Sequence, residues 1–365
     1  MATNFLTQLI EFSFDADLAE AGFTDFVAVP VYGPKFDVYN FTSINDPAFH
    51  GKARANASRF GAAWAEFGFY VELGGFKTAQ TTPDTIYDPP FWGRICEALG
   101  MQKIGDSSIA KWDYTVTDKI HLSTDTVHTG EYLRPLTSVQ NIDGFYTAIE
   151  NGVMDGTFSL DIKEGPPRLT INSYKGNIYK NGSNYYIHPV NTKPAGIPTI
   201  TEYNPPVPKD CANSTITITV TPNDGTYTPV VISDVCLQRW EHSIGNKIVQ
   251  QNCMHAKYKL GQFLITEQDS NKAKLTVSVQ DPGTIASPAS FNPYKMAANR
   301  DMLTVSVVHN AGVSQQTLTF TCDYYISEAT KLKDSDGVLE YELTLAQANV
   351  KPGGADADYF RVSCS

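Results

Sequence analysis

Long apolar runs are absent from this sequence of 365 residues. No stretch reaches the length of about 18 apolar residues that crosses a bilayer as a helix. The first residues also lack the basic group and apolar core of a secretory signal, and the acidic residues Glu11 and Asp15 follow directly. We therefore expect neither a membrane span nor secretion, so the Asn-x-Ser/Thr matches carry little weight as glycosylation sites. These matches begin at Asn40, Asn56, Asn181 and Asn213.

Basic residues are also scarce, with 28 Lys and Arg against 39 Asp and Glu and a net charge of −11. A protein that grips DNA or RNA by its phosphates needs a basic surface, so this balance argues against such a function. Hydrophobic residues make up 42% of the chain and aromatic residues 12%, which is enough for a packed core. At about 100 to 200 residues per domain, the length favours two domains.

Short catalytic motifs are missing as well. The sequence contains no Gly-x-Ser-x-Gly, no phosphate-binding loop, no His-Glu-x-x-His and no dinucleotide-binding fingerprint. The seven histidines are scattered singly, so each is interpreted as a surface or strand residue rather than as a base. We predict no catalytic residue, no cofactor and no enzymatic activity. The histidines are His50, His121, His128, His188, His242, His255 and His309.

One group, Cys236, His242, Cys253 and His255, contains residue types that suit zinc, but its spacing matches no usual structural zinc pattern. We therefore predict no metal site, and we expect replacement of His242 or His255 by alanine to leave folding unchanged. Paired carboxylates lie in polar stretches with Gly or Ser and are interpreted as solvated turns. These pairs are Asp15 with Asp17, Asp334 with Asp336, and Asp356 with Asp358.

The six cysteines are unevenly distributed. They are Cys96, Cys211, Cys236, Cys253, Cys322 and Cys364. In a reducing cytosol, thiols act as small buried hydrophobes, and Cys96 and Cys322 lie on apolar faces as that interpretation expects. Cys364 has no such packing reason. Two alternatives stay open for it, a bond to a neighbour in an extracellular particle or a frayed free thiol.

Strict alternation of apolar and polar residues is the clearest pattern and predicts β-strands almost throughout the chain. The strongest segments are 64–73, 158–162, 216–220, 275–279, 318–324 and 339–345. Weaker candidates lie near 36–43, 112–123, 144–150, 168–175, 229–237 and 303–309. This pattern favours a pair of antiparallel β-sandwiches or barrels with a few short helices.

A single stretch, at about 89–101, has a helical period. Trp92, Ile95, Cys96 and Leu99 share one face of it, prolines precede it and a glycine follows, so we expect a short helix whose Trp92 face packs on a sheet. The proline-rich segment 191–209 is expected to be an extended linker. We therefore predict one β domain over 1–195 and a second over 196–365.

A weak internal repeat crosses this linker. In each half, a strand that follows glycine, a polar turn and a strand led by a basic residue occur at similar spacing, at 156–171 and at 261–277. Because any two β-hairpins share such features, the pattern favours duplication only modestly.

Several segments, taken together, resemble the tail tube (major tail) proteins of tailed bacteriophages. Each motif alone is simple hairpin chemistry, but the ordered series is specific and covers roughly residues 25–285. The segments are Val71-Glu72-Leu73-Gly74-Gly75, Pro89-Pro90-Phe91-Trp92, Leu99-Gly100-Met101, Gly156-Thr157-Phe158-Ser159-Leu160-Asp161 with Lys163 to Arg168 and Gly176, Pro205-Pro206, Gly245-Asn246 and Gly261-Gln262-Phe263-Leu264-Ile265-Thr266. The cysteine-rich second half and the segment after about 290 depart from the family pattern.

The resemblance implies a structural virion protein, made in the host cytoplasm, that polymerises into stacked rings and forms the conduit for DNA ejection. It implies two tandem tail-tube-type domains, so three chains could complete a pseudo-six-fold ring that would otherwise need six chains. Implied partners are other copies of the chain, stacked rings, and tail proteins such as a terminator, a tape measure and a sheath. DNA would pass through the lumen without sequence-specific binding, and we expect the lumen to be net acidic because cationic contacts would retard the duplex.

Two rival classes are compatible with a β-rich chain of this composition. A β-sandwich module could bind carbohydrate or another ligand on exposed aromatics, since the chain has 19 Tyr and 4 Trp. A β-rich hydrolase could use scattered carboxylates. Electron microscopy of concentrated protein discriminates between these classes, because tubes or rings favour the structural function.

Overall fold

The computed structural model describes residues 8–13, 27–45, 58–74, 90, 92–105, 112–116, 135–142, 145–161, 166–178, 180–181, 184–185, 214–232, 235–251, 262–268, 272–279, 291–310, 317–335 and 338–364. Within these ranges the chain is mainly β, with a large antiparallel sheet and two short helices. The predicted linker at 191–209 lies outside the described residues.

The strands are β1 (Gln8–Ser13), β2 (Val27–Asn45), β3 (Ser58–Glu72), β4 (Met101–Gly105), β5 (Trp112–Val116), β6 (Leu136–Ile142), β7 (Phe145–Asp161), β8 (Arg168–Ile178), β9 (Lys180–Asn181), β10 (Asn184–Tyr185), β11 (Ser214–Thr221), β12 (Val230–Ile232), β13 (Val235–Ser243), β14 (Asn246–Gln251), β15 (Gln262–Gln268), β16 (Lys272–Val279), β17 (Met302–Asn310), β18 (Thr317–Ile326), β19 (Lys331–Ser335), β20 (Val338–Gln347) and β21 (Arg361–Cys364). The helices are α1 (Gly93–Ala98) and α2 (Pro293–Asn299).

All six strongly alternating segments form strands, which confirms this part of the prediction. In β3, for example, Ala65, Phe67, Phe69 and Val71 are buried, and the residues between them are half-buried. Because successive side chains of a strand point to opposite faces, this alternation places one face in the core.

Six strands of the first half, residues 8–178, form a closed circuit of antiparallel pairs. In order around the circuit they are β1, β2, β3, β8, β7 and β6, and β6 pairs with β1 to close it. Closure into a barrel removes the open edges that a flat sheet would expose. Buried side chains such as Val31, Phe67 and Tyr174 fill its core.

Six strands of the second half, residues 214–347, are connected in the same order. Around the circuit they are β11, β13, β16, β20, β18 and β17, and β17 pairs with β11. Five of the six pairings found in the first half therefore recur, all antiparallel. At the sixth position, β12 pairs with β11 and leads directly into β13.

The helices occupy equivalent places in the two halves. In chain order, each circuit consists of three strands followed by three more, with one helix after the third strand. Helix α1 follows β3 and helix α2 follows β16, the two strands that hold the same position in their circuits. The two halves thus share five strand pairings as well as one helix position.

Two strand pairings join the halves directly. Strand β7 pairs with β13, and β5 pairs with β21. Both pairings connect residues before 195 with residues after 196, so the sheet is continuous across the predicted division. The division itself stays a prediction.

Helix α1 is shorter than the predicted segment 89–101, because it spans Gly93–Ala98 and β4 begins at Met101. Its predicted packing is confirmed, since Trp92 is fully buried, its indole N–H donates to the Gly74 carbonyl at 2.8 Å, and its ring lies 5.3 Å from that of Tyr114 on β5. Gly93 is needed for this contact, because a Cβ there would lie 1.9 Å from the Tyr114 hydroxyl.

The hairpin repeat suggested by the sequence is not a structural one. The first member, at 156–171, is the β7–β8 pair. The second member consists of β15, which pairs with β14, and β16, which pairs with β13 and β20. The sequence similarity therefore reflects shared strand and turn chemistry, whereas the topological correspondence relates β7 and β8 to β18 and β20.

Candidate assembly interface

An aromatic cluster lies where the two halves meet. We call Phe158, Trp240, His242, Phe320, Tyr324 and Phe360 the junction cluster. Phe158 belongs to β7 of the first half, and the other members lie on β13, on β18 and just before β21. All six side chains are buried. The junction is therefore an apolar core shared by the two halves.

The rings of the junction cluster are in direct contact. The Phe158 ring centroid lies 5.1 Å from that of Phe360 and 6.2 Å from that of Phe320. Trp240 lies 5.1 Å from Phe320, and His242 stacks on Phe360 at 3.8 Å. Aromatic contacts at such distances contribute about 0.5–1.5 kcal/mol beyond the burial of their area.

His242 is the polar member at the centre of this cluster. Its Nδ1 atom lies 2.8 Å from the Tyr324 hydroxyl, and its Nε2 has no hydrogen-bond partner among the described residues. Burial lowers the pKa of His242 to about 3 and raises the pKa of Tyr324 well above its usual value. Both side chains are therefore neutral near neutral pH, as an apolar junction requires.

The backbone of the junction is an antiparallel pair in fixed register. Phe158 stands opposite His242, and Leu160 stands opposite Trp240. A β-bulge between Leu237 and Arg239 shifts the alternation of β13, so that Leu237, Trp240 and His242 all point into the core. One extra residue in a strand reverses the faces that follow it.

Asn246 forms a second connection between the halves. Its side-chain amide donates to the carbonyl of Leu99 at 2.7 Å and to that of Met154 at 2.9 Å. Its backbone N–H donates to the Asp155 carboxylate at 2.7 Å. Burial raises the pKa of Asp155, although the hydrogen bond from the Asn246 backbone N–H opposes the shift. Asn246 thus joins the end of α1, strand β7 and the turn before β14.

Strand β19 has an exposed apolar side chain on an open edge. It pairs with β20 along one edge, and no described strand pairs with its other edge. Leu332 on β19 is 49% exposed. An exposed apolar residue on an open strand edge is typical of sites where another chain adds a strand.

Strand β2 also has an open stretch. It pairs with β1 over 27–31 and with β3 over 32–45. In the closed circuit, β1 lies on one side of β2 and β3 lies on the other. The described part of β1 begins at Gln8, opposite Val31, so the β1-facing edge of β2 beyond Val31 has no partner among the described strands. Within the described residues, this stretch and the outer edge of β19 are open backbone edges, one in each half.

The residues considered for zinc are not brought together. His242 lies in the junction cluster and Cys236 is exposed, so they point to opposite faces of β13. Cys253 and His255 lie outside the described residues. Among the described residues, no group of three or more His, Cys, Asp or Glu side chains could hold a metal ion. Replacement of His242 by alanine was expected to leave folding unchanged, and the complete burial of His242 conflicts with this expectation. The alternation of apolar and polar residues does not indicate the bulge that turns His242 inward.

Of the carboxylate pairs, Asp334, Asp356 and Asp358 are described, and all three are exposed as predicted for solvated turns, although Asp334 lies on strand β19 and not in a turn. Asp15, Asp17 and Asp336 lie outside the described residues. Asp358 accepts a hydrogen bond from Lys351 at 2.8 Å, which raises the pKa of that lysine. Lys351 also lies 3.4 Å from the fully buried carboxylate of Asp323.

A cleft beside α2 has a volume of about 510 Å³. It is lined by apolar side chains that include Met296 and Val350, and by the polar side chains of Arg300, Tyr325 and Lys351. Since Lys351 already pairs with two carboxylates, its charge is largely compensated. The cleft therefore has an apolar wall and few polar groups that could orient a ligand.

The described cysteines are Cys96, Cys236, Cys322 and Cys364, and all four are free thiols. Burial of Cys96 and Cys322 confirms their interpretation as small hydrophobes, and it raises the pKa of both thiols. Cys364 differs from both alternatives left open for it, because it is fully buried on β21 between β5 and β18. Burial raises its pKa to about 12.

No protein-family model matches the chain, and no curated protein matches it. Within the described part of the chain, neither helix is long and apolar enough to cross a membrane.

Proposed function

We propose that this protein is a structural virion protein that polymerises into stacked rings and forms the tail tube of a bacteriophage. The observation that carries the proposal is the repeated strand circuit. Two halves that share five strand pairings are joined edge to edge through β7 and β13. Such a chain would occupy two successive positions in a ring. This is the arrangement expected for a tube subunit made of two tandem domains.

The motifs that resemble tail tube proteins support the proposal through their places in the fold. The segment that ends at Trp92 leads into α1, and the Trp92 indole closes back on Gly74 of the preceding glycine turn. The Gly245-Asn246 pair makes the turn whose asparagine connects the halves. These motifs thus coincide with structural connections rather than with a cluster of catalytic groups.

Three chains, each with two tail-tube-type domains, would complete one pseudo-six-fold ring. Stacked rings would form the tube, with a terminator, a tape measure and a sheath as further partners in the virion tail. Genomic DNA would pass through the lumen without base-specific contacts. A net acidic wall suits this passage, because each cation paired with a phosphate would add affinity and slow the duplex.

Negative-stain microscopy and native mass spectrometry of concentrated protein test the proposal together. Rings and tubes with three chains per ring are the expected result. Six chains per ring would refute the three-copy ring while leaving the tube function intact. Particles that stay monomeric at every concentration would refute the tube function and favour a ligand-binding β-sandwich module, for which the cleft beside α2 is the first place to look.

A further inference from the structure

The junction between the two halves provides a template for the contact between successive chains. In a ring of alternating halves, the first half meets the second half within one chain, and the second half meets the first half of the next chain. Pseudo-six-fold symmetry requires these two contacts to use equivalent strands. This inference rests on the proposed ring, and the strands it identifies follow from the topology of the chain.

The strand equivalent to the end of β7 is β19. The beginning of β7 pairs with β6, its end pairs with β13 over 157–161, and β8 runs along its opposite edge. In the second half, β18 pairs with β17, which is equivalent to β6. Strand β20, equivalent to β8, then pairs with the end of β18 and with β19. Strands β18 and β19 together therefore correspond to the long β7, and β19 corresponds to its end.

The strand equivalent to β13 is β2. Within its circuit, β13 pairs with β16 in the way that β2 pairs with β3. Residues 239–243 of β13 receive β7 on the edge opposite β16. The corresponding part of β2 is the stretch beyond Val31, where the edge opposite β3 is open among the described strands. Among the described strands, each half therefore has an open edge at the position that the repeated contact needs.

We propose that β19 of one chain pairs with β2 of a second copy of this chain, and that this antiparallel contact reproduces the β7–β13 junction. Three such contacts alternate with three internal junctions and close the ring. Closure leaves neither edge available for further lateral growth, so the contact also limits the ring to a fixed number of chains.

The register of this contact follows from the pairs on the inner face. Leu332 stands opposite Tyr341 on β20, as Phe158 stands opposite Leu169 on β8, so Leu332 is equivalent to Phe158. Tyr341 in turn pairs with Val277, as Leu169 pairs with Val71. The two strands that carry these valines are therefore aligned.

Four residues before each of these valines, Ala273 pairs with His242, and Phe67 pairs with Phe36. Position 36 is therefore equivalent to His242. Since His242 stands opposite Phe158, Leu332 of one chain is placed opposite position 36 of the next.

The side chains of β19 suit this contact. Leu332 is 49% exposed, although its cross-strand neighbour Tyr341 is buried. A partner strand would cover it, as β13 covers Phe158.

Photo-crosslinking tests the contact without depending on a single register. A benzophenone amino acid replaces Leu332 in the full-length protein, and the cross-linked peptides are mapped by mass spectrometry. Cross-linked dimers and trimers in which position 332 is joined to residues 27–45 of another copy are the expected result. The matched control carries the same probe at Val231, which is exposed on β12, and it is not expected to reach β2.

The L332K variant tests the energetic part of the inference. Because Leu332 is half exposed in the single chain, the variant should fold normally by circular dichroism. It should raise the protein concentration needed for ring formation by about tenfold or more, which is the effect of losing one central apolar contact. V231K is the control and should leave that concentration unchanged. An unchanged concentration for L332K would overturn the inference.

Microscopy of the same samples separates this inference from the proposed function. Rings or tubes whose cross-links from position 332 avoid β2 would overturn the β19–β2 contact and leave the tube function standing. Cross-linked trimers that never stack would support the contact and overturn the tube. Protein that stays monomeric, with no cross-link between chains, would overturn both.

Discussion

Protonation of His242 should make the stability of the protein depend on pH in a way that one substitution can isolate. The imidazole is buried among aromatic rings, and its pKa is lowered to about 3 from an ordinary value of 6.5. Below pH 6.5 the unfolded chain binds a proton that the folded chain rejects, so acid favours unfolding. This loss of stability begins near pH 6.5, grows as the pH falls, and is complete below pH 3.

The size of this effect follows from the two pKa values. One pKa unit corresponds to about 1.4 kcal/mol, so the full loss is about 5 kcal/mol below both values. Between about pH 7.5 and pH 5, where other parts of the protein should stay folded, the linkage relation gives a loss of about 2 kcal/mol from His242. This is a large fraction of a typical unfolding free energy of about 5–15 kcal/mol.

The assay is urea unfolding of the wild-type protein and of H242Q at both pH values. All samples have the same protein concentration, because any self-association would add a concentration-dependent contribution. The wild type should lose about 2 kcal/mol more than H242Q over this interval, since the variant lacks the titrating group. Other titrating groups are common to both proteins, so their contributions cancel.

F67L is the matched control. Phe67 is buried in the core of the first half, so the variant should lose stability on the order of 1 kcal/mol yet keep the wild-type dependence on pH. Equal pH dependence for wild type and H242Q would refute the reasoning, because it would mean that the imidazole can be protonated in the folded junction.

Three further predictions concern single contacts. N246A should lower the unfolding free energy by about 1–3 kcal/mol, because it leaves two carbonyls at the connection between the halves without their donor; urea unfolding measures this. K351M should cost about 1–3 kcal/mol by the same assay, since it leaves a fully buried carboxylate without its cation, whereas K333M, which breaks an exposed pair, should cost less than about 1 kcal/mol. Equal costs for these two lysines would contradict the role assigned to burial. Brief alkylation of the native protein, read by mass spectrometry, should label Cys236 and leave Cys322 unmodified until urea is added; rapid labelling of Cys322 would contradict its burial.

Alternation predicts the strands of this protein well where one face is apolar and the other is polar. Strand β3 is such a case, since Phe67, Phe69 and Val71 are buried and Glu66 and Glu72 are half-buried. The physical reason is that a half-buried strand must place every second side chain in the core. The same rule predicted β11, β16, β18 and β20.

Strand β6 was missed because its buried residues include polar ones. Thr137, Ser138 and Gln140 are all buried, and they break the apolar alternation. Their burial is compensated by hydrogen bonds, since the Gln140 amide donates to the Ser138 hydroxyl, which lies 2.8 Å from the Tyr174 hydroxyl. Such a network forms only after distant strands meet, so no local pattern in the sequence indicates it.

Helix α2 was also missed, although a local signal for it exists. Asn292 caps the helix by accepting a hydrogen bond from the Lys295 backbone N–H at 3.0 Å, and Pro293 occupies the first turn. Asn followed by Pro at this spacing is a usual helix start. The helix is too short for its apolar period to stand out.

The junction between the halves could not be predicted from the sequence. It depends on the bulge at Leu237 and Arg239, which turns His242 into the core, and on pairing between strands that lie far apart in the chain. The sequence predicted His242 to be a surface or strand residue; it does lie on strand β13, but its burial was not predicted. The family resemblance predicts a repeated domain. Only the strand pairing shows which strands of the two halves are equivalent and which of the described edges are open.

The pairing of β5 with β21 sets the order in which this protein can be completed during synthesis. Trp112 stands opposite Cys364, so the two strands are separated by about 250 positions. A ribosome that has produced the whole first half has not yet supplied the strand that covers β5. At synthesis rates of about 5–20 residues per second, this edge stays open for roughly 10 to 50 seconds. A nascent first half therefore exposes an unpaired strand edge that can bind a neighbouring chain. Chaperones that shield strand edges would raise the yield of correctly folded protein.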